Sequence, residues 1–160
     1  MIVIADTAPL HYLVLVQQEG LLPALYDRVF VPDAVVRELS AKSAPPEVAK
    51  WLAENPAWLV VRQVAAELLT PISGDLDEGE RAAIALAKQI QADLIPIDDQ
   101  AGRAEARRWK LRVTGTLGIL RVAAERGMVD VPAVIGRLRS TNFYLDENLI
   151  ATVFREWLTR

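Results

Sequence analysis

The apolar run IVIA at residues 2–5 stops at Asp6 and gives way to a helical pattern, and the same event recurs where LIPI stops at Asp98. Short apolar runs alternating with longer helical segments mark parallel βα units. Parallel strands are covered on both faces, and each must return through a crossover long enough to hold a helix. The chain therefore reads as an α/β protein with a central, mostly parallel sheet.

Strands are expected at 2–5, 29–31, 58–62 and 93–97, with a short edge strand at 111–113. Helices are expected at 8–18, 21–26, from Pro32 and Asp33 through Leu39, through Trp51 and Leu52, from Asp77 onward, and at 104–109. Three more, at 117–126, 131–138 and 147–158, complete the chain. No repeat or long linker divides the 160 residues, so residues 1–160 are taken as one domain. Pro96 lies inside the fourth strand, where it removes a ladder donor, so that strand should be short or bulged.

The sequence offers little besides carboxylates for chemistry: no cysteine, one histidine and no glycine-rich phosphate loop. Carboxylates gathered without histidine favour a hard divalent cation, Mg²⁺ or Mn²⁺. The absence of cysteine fits a reducing cytosol, which points to a cytoplasmic protein. The opening MIVIADTAPLHYLVLV lacks a basic leader and is interrupted by Asp6 and Pro9, so a buried strand and helix are expected there and no membrane association. A net charge of −3 argues against non-specific coating of nucleic acid, although clustered acids that hold metal ions lower the charge themselves.

Four acids sit where strands end or helices begin. Asp6 follows a strand directly, at the carboxyl edge where open α/β sheets bind ligands, or else it caps the next helix. Asp98 stands in the same relation to Ile97; the adjacent Asp99 is the better helix cap and the alternate site acid. Glu80 has capping-box spacing from Asp77. With Ala83, Leu86, Ala87 and Ile90 as the buried face, Glu80 projects roughly 70° from its centre, and Asp77 and Glu78 roughly 130° away. Glu38 lies beside the apolar stripe of Val35, Val36 and Leu39, where a solvated acid is also an ordinary outcome.

The segments IADTAPL, VPDAVVREL, LDEGERAAIALA, LIPIDDQAGRAEA and VTGTLGIL together resemble those of PIN-domain proteins, in particular the small prokaryotic group related to VapC-type toxins. The likeness runs from Met1 to about Leu120, with C-terminal helices beyond it. It implies a three-layer α/β/α fold and metal-dependent ribonuclease activity. By motif, Asp6, Glu38, Glu80 and Asp98 resemble the family's four acids, and Thr7 and Thr116 its hydroxyl positions. The third acid is often aspartate in that family, whereas this chain has Glu80. The resemblance further implies an RNA substrate, a homodimer, and a small antitoxin partner.

On this view Asp6 and Asp98 are primary metal ligands, and Glu38 and Glu80 complete the shell or orient water. Among the basic residues after the fourth strand, Arg103 is the candidate for substrate phosphate, the remainder reading as a solvated helix face with Glu105 interspersed. The apolar stretch from Phe143 to Trp157 is either core packing or a protein interface. The competing reading is an inactive PIN-like module that binds RNA or acts as a scaffold. A phosphatase of another doubly wound fold would need an aspartate two residues after Asp6, and Ala8 stands there.

Overall fold

A computed structural model describes residues 1–159. Its strands are β1 (Ile2–Ile4), β2 (Arg28–Pro32), β3 (Leu59–Arg62), β4 (Ile95–Pro96) and β5 (Val113–Thr114). All pair in parallel: β1 with β2, β2 with β3, and β4 with β5. One further bridge, Val3 to Leu94, joins the two ladders and gives the spatial order β3-β2-β1-β4-β5.

Pro96 explains why the join is so thin. Ile95 and Ile97 turn their amides toward β5, donating to Arg112 O at 2.9 Å and Thr114 O at 2.8 Å. Alternation aims the intervening residue toward β1, and there proline has no N–H to give. The strand is accordingly two residues long rather than the five expected. Pro96 still accepts from the Asp6 amide at 3.4 Å, which holds the ends of β1 and β4 together.

The helices are α1 (Thr7–Leu15), α2 (Leu21–Leu25), α3 (Asp33–Leu39), α4 (Pro46–Ala53), α5 (Ala66–Leu69), α6 (Glu78–Ile90), α7 (Gln100–Arg108), α8 (Thr116–Glu125), α9 (Val131–Arg139), α10 (Glu147–Val153) and α11 (Arg155–Leu158). The short α5 falls in a stretch for which no element was expected. The single helix expected at 147–158 is broken at Phe154, where φ is −111°. Phe154 is fully buried and anchors the break, and Trp157 packs edge-on against it at 6.2 Å.

Strand alternation builds two cores, one on each face of the sheet. Val3, Ala5, Val29, Val31 and Leu59 face one way, onto Leu10, Leu13, Ile119, Leu120 and the C-terminal helices. Ile4, Phe30, Ile95 and Ile97 face the other way, onto Ile84, Leu86 and Ala87 of α6 and Ala106 of α7. The result is the expected α/β/α arrangement. Among the described residues no helix is long and apolar enough to cross a membrane.

Candidate functional site

The chain leaves β1 toward β2 and leaves β4 toward β5, on opposite sides of the seam between β1 and β4. Such a reversal opens a crevice beyond the carboxyl ends of the two strands. Asp6 and Asp98 are the first residues beyond that edge, and helices α6, α7 and α8 begin around it.

Asp6 is 4% exposed, with no hydrogen-bond partner for Oδ1 and no capping bond to α1. Burial pushes its carboxyl up to about 8; the Thr7 amide opposes this, and the charges of Asp77, Glu38 and Asp98 add to it. Glu80 is likewise buried, and its Oε2 is also without a partner. Burial first, and then the adjoining Asp77 carboxyl, hold Glu80 well above the usual range. The capping box is therefore only half made. Asp77 accepts the Glu80 amide at 2.8 Å, while the Glu80 carboxyl turns inward.

The other two acids are tied down. Glu38 accepts the Thr7 hydroxyl through Oε2 and the Gly79 amide at 2.9 Å through Oε1. Asp98 accepts two bonds from Thr116, from the amide at 2.8 Å and the hydroxyl at 2.7 Å. Burial raises the Asp98 carboxyl, while the Thr116 bonds and the Arg103 charge restrain it. Asp99 points elsewhere and caps α7 through Gly102 N at 3.0 Å. Arg103 donates through Nε to Ile97 O at 2.8 Å, which parks its guanidinium beside Asp98.

Three glycines make these placements sterically feasible. A Cβ on Gly79 would stand 2.7 Å from both Glu38 oxygens, one on Gly102 2.6 Å from Glu80 Oε2, and one on Gly115 2.7 Å from Asp98 Oδ1. Each lies at or near the start of a helix, so each acid rests against a helix end whose backbone dipole favours negative charge. Gly79→Ala should displace the flexible end of Glu38 and break its bond to the Gly79 amide. Alanine's better helix propensity offsets the lost bond, so urea denaturation should show a change within about 1 kcal/mol. A larger loss would mean Glu38 holds the fold rather than the site.

Helical geometry turns Asp77 away from the site, yet its charge acts on Asp6 more strongly than that of Glu38 or Asp98. The 100°-per-residue count applies only to helical residues, and Asp77 is an extended N-cap with φ −70° and ψ 168°. Glu105 departs from the solvated-face expectation in the same region. It is 7% exposed and takes bonds from Arg108, Ser73 N and Trp109, with its carboxyl held down at about 2, Arg108 being the main cause.

Two buried carboxylate oxygens without partners, in a pocket of mutually repelling acids, require protons or a cation. All-oxygen donors suit Mg²⁺ or Mn²⁺. Among the described residues no three such side chains already stand in ligand geometry.

A family model described as a PIN domain matches residues 2–158 of the chain. No curated protein sequence matches it.

Proposed function

This chain belongs to the PIN-domain family, whose members are in general nucleases, and on that premise we propose that it is a divalent-metal-dependent endoribonuclease. The observation that carries the reading is the pair of orphaned buried oxygens, Asp6 Oδ1 and Glu80 Oε2, beside Asp98 at the switch point of the sheet.

In this reading Asp6, Glu80 and Asp98 hold the ion. Once bound, Mg²⁺ or Mn²⁺ supplies an activated water and neutralises charge developing on the phosphate. The two Thr116 bonds fix the orientation of Asp98, as outer-shell partners of metal ligands commonly do. Glu38, fixed by Thr7 and Gly79, would orient the attacking water and accept its proton. Asp77 adds negative charge that favours a cation, and Arg103 stands beside Asp98 to receive a phosphate oxygen. Asp99 keeps its capping role. The same reading extends to a toxin that works as a homodimer and is blocked by a small antitoxin.

Incubating the protein with RNA and Mn²⁺ should give internal cleavage that EDTA abolishes and Asp98→Asn eliminates. Cleavage of DNA alone would overturn RNA specificity. If no metal supports cleavage and none stabilises the fold, an RNA-binding or scaffold role takes its place. Growth arrest on expression, relieved by a protein encoded beside this one, would test the toxin role.

A further inference from the structure

A cleft of about 570 Å³ takes in Asp98 and is bordered by the first turn of α7 and the segment joining α9 to α10. Asp98, Asp99, Arg103, Tyr144, Asp146 and Leu149 are among the residues that line it. Two of these are unusually exposed: Tyr144 is 86% exposed and Leu149 47%, although Ile150 and Phe154 nearby are buried. Core packing explains most of the C-terminal apolar stretch but not these two.

The Tyr144 backbone is nevertheless well anchored. Tyr12 donates to Asn142 Oδ1 at 2.8 Å, and Phe143 packs edge-on against the Tyr12 ring at 4.8 Å. Asp146 then caps α10, accepting from Asn148 N at 2.9 Å and Leu149 N at 3.3 Å. A large aromatic ring is thus held over a cleft by a braced segment while making little contact with its own fold.

We propose that Tyr144 and Leu149 form a stacking shelf for one unpaired base of an RNA strand, adjacent to the phosphate that the acids engage. This rests on the nuclease reading and adds to it the residues that select an unpaired strand. The cleft volume is of the size that takes a small molecule such as a nucleoside. A ring face of tyrosine stacks on any base, and Arg103 in the same cleft supplies the positive charge a phosphate requires. A base reaches such a shelf only when splayed out of a helix, which is how single strands are bound. A protein partner fits less well, because two exposed apolar side chains fall far short of the roughly 800 Å² per partner that a stable contact covers.

The test uses short single-stranded RNAs of randomised sequence with a central 2-aminopurine, bound in Ca²⁺ so that the RNA stays intact. Stacking should quench the probe. Tyr144→Ala should weaken binding about tenfold and abolish quenching, whereas Tyr144→Trp should preserve both. A duplex of defined sequence with a central 2-aminopurine should show no further quenching when protein is added. Because Tyr144 is a surface residue, its truncation leaves the core untouched. Equal binding and quenching by Tyr144→Ala, or no quenching by the parent protein, overturns the shelf. Altered sedimentation of Tyr144→Ala with unchanged quenching also overturns it, in favour of a protein contact. If Tyr144→Ala behaves like the parent while Asp98→Asn still eliminates cleavage, the shelf fails and the nuclease stands. If the quenching depends on Tyr144 but no RNA is cleaved, the nuclease fails and the shelf stands.

Discussion

Asp6→Asn is expected to abolish RNA cleavage and, in the same protein, to make the metal-free fold more stable near pH 8. Asparagine keeps the shape of the side chain and removes its charge. The Asp6 carboxyl is pushed up to about 8 in the fold, against about 4 in the unfolded chain. Between those values the folded state holds a proton that the unfolded state has lost, so stability falls as pH rises through the window, by about 1.4 kcal/mol per unit at most. Above it the fold carries a buried anion with an unsatisfied oxygen. Removing that charge should stabilise by on the order of 3 kcal/mol after relaxation of the surroundings. Urea unfolding at pH 5 and pH 8 measures this, and the substitution should flatten the difference. A residue needed only for capping would show little change, since asparagine caps a helix about as well as aspartate. The loss of cleavage should exceed the roughly 100-fold that removing an outer-shell partner costs.

Mn²⁺ should bind with release of protons and should reverse the pH trend of stability. At pH 7 Asp6 is still largely protonated in the metal-free protein, and Glu80 is raised as well. An ion that takes the place of those protons must expel them, so its apparent affinity climbs with pH until both carboxyls are ionised. Calorimetry in buffers of differing ionisation heat reads the proton count directly. Saturating ion at about 100 times its dissociation constant should add about 2.7 kcal/mol to the unfolding free energy. Binding without proton release would show that the ion sits elsewhere, and a fold insensitive to Mn²⁺ would remove the metal from the reading.

Much of this architecture was legible because strand ends are chemically abrupt. Asp6 and Asp98 terminate apolar runs, and those runs are the two strands whose ends meet at the crevice. Glu80 could be aimed by helical geometry because it lies within α6. Asp77 could not, because a cap residue does not follow the helical wheel. The seating of Glu38, Glu80 and Asp98 against Gly79, Gly102 and Gly115 was also hidden, since these contacts cross between segments and leave no periodic trace. Glu105 looked like part of a charged face because its neighbours Arg107 and Arg108 are exposed; the buried contact to Ser73 is a tertiary fact. Tyr144 lay in an apolar stretch that pattern alone could not divide between core and surface.

The placement of β1 in the middle of the sheet has a consequence for synthesis on the ribosome. Its neighbour on one side, β2, follows soon after, but Ile2 closes against Asp93 on the other side only across a separation of 91 residues. A nascent chain can thus assemble a partial sheet early, while the carboxylates of residues 80 and 98 and the hydroxyl of Thr116 are still to come. Loop closure over that distance is slow relative to local helix formation. On the proposed nuclease reading, the polypeptide is consequently inert while most of it is being made, and its site is complete only once the second half has emerged and docked.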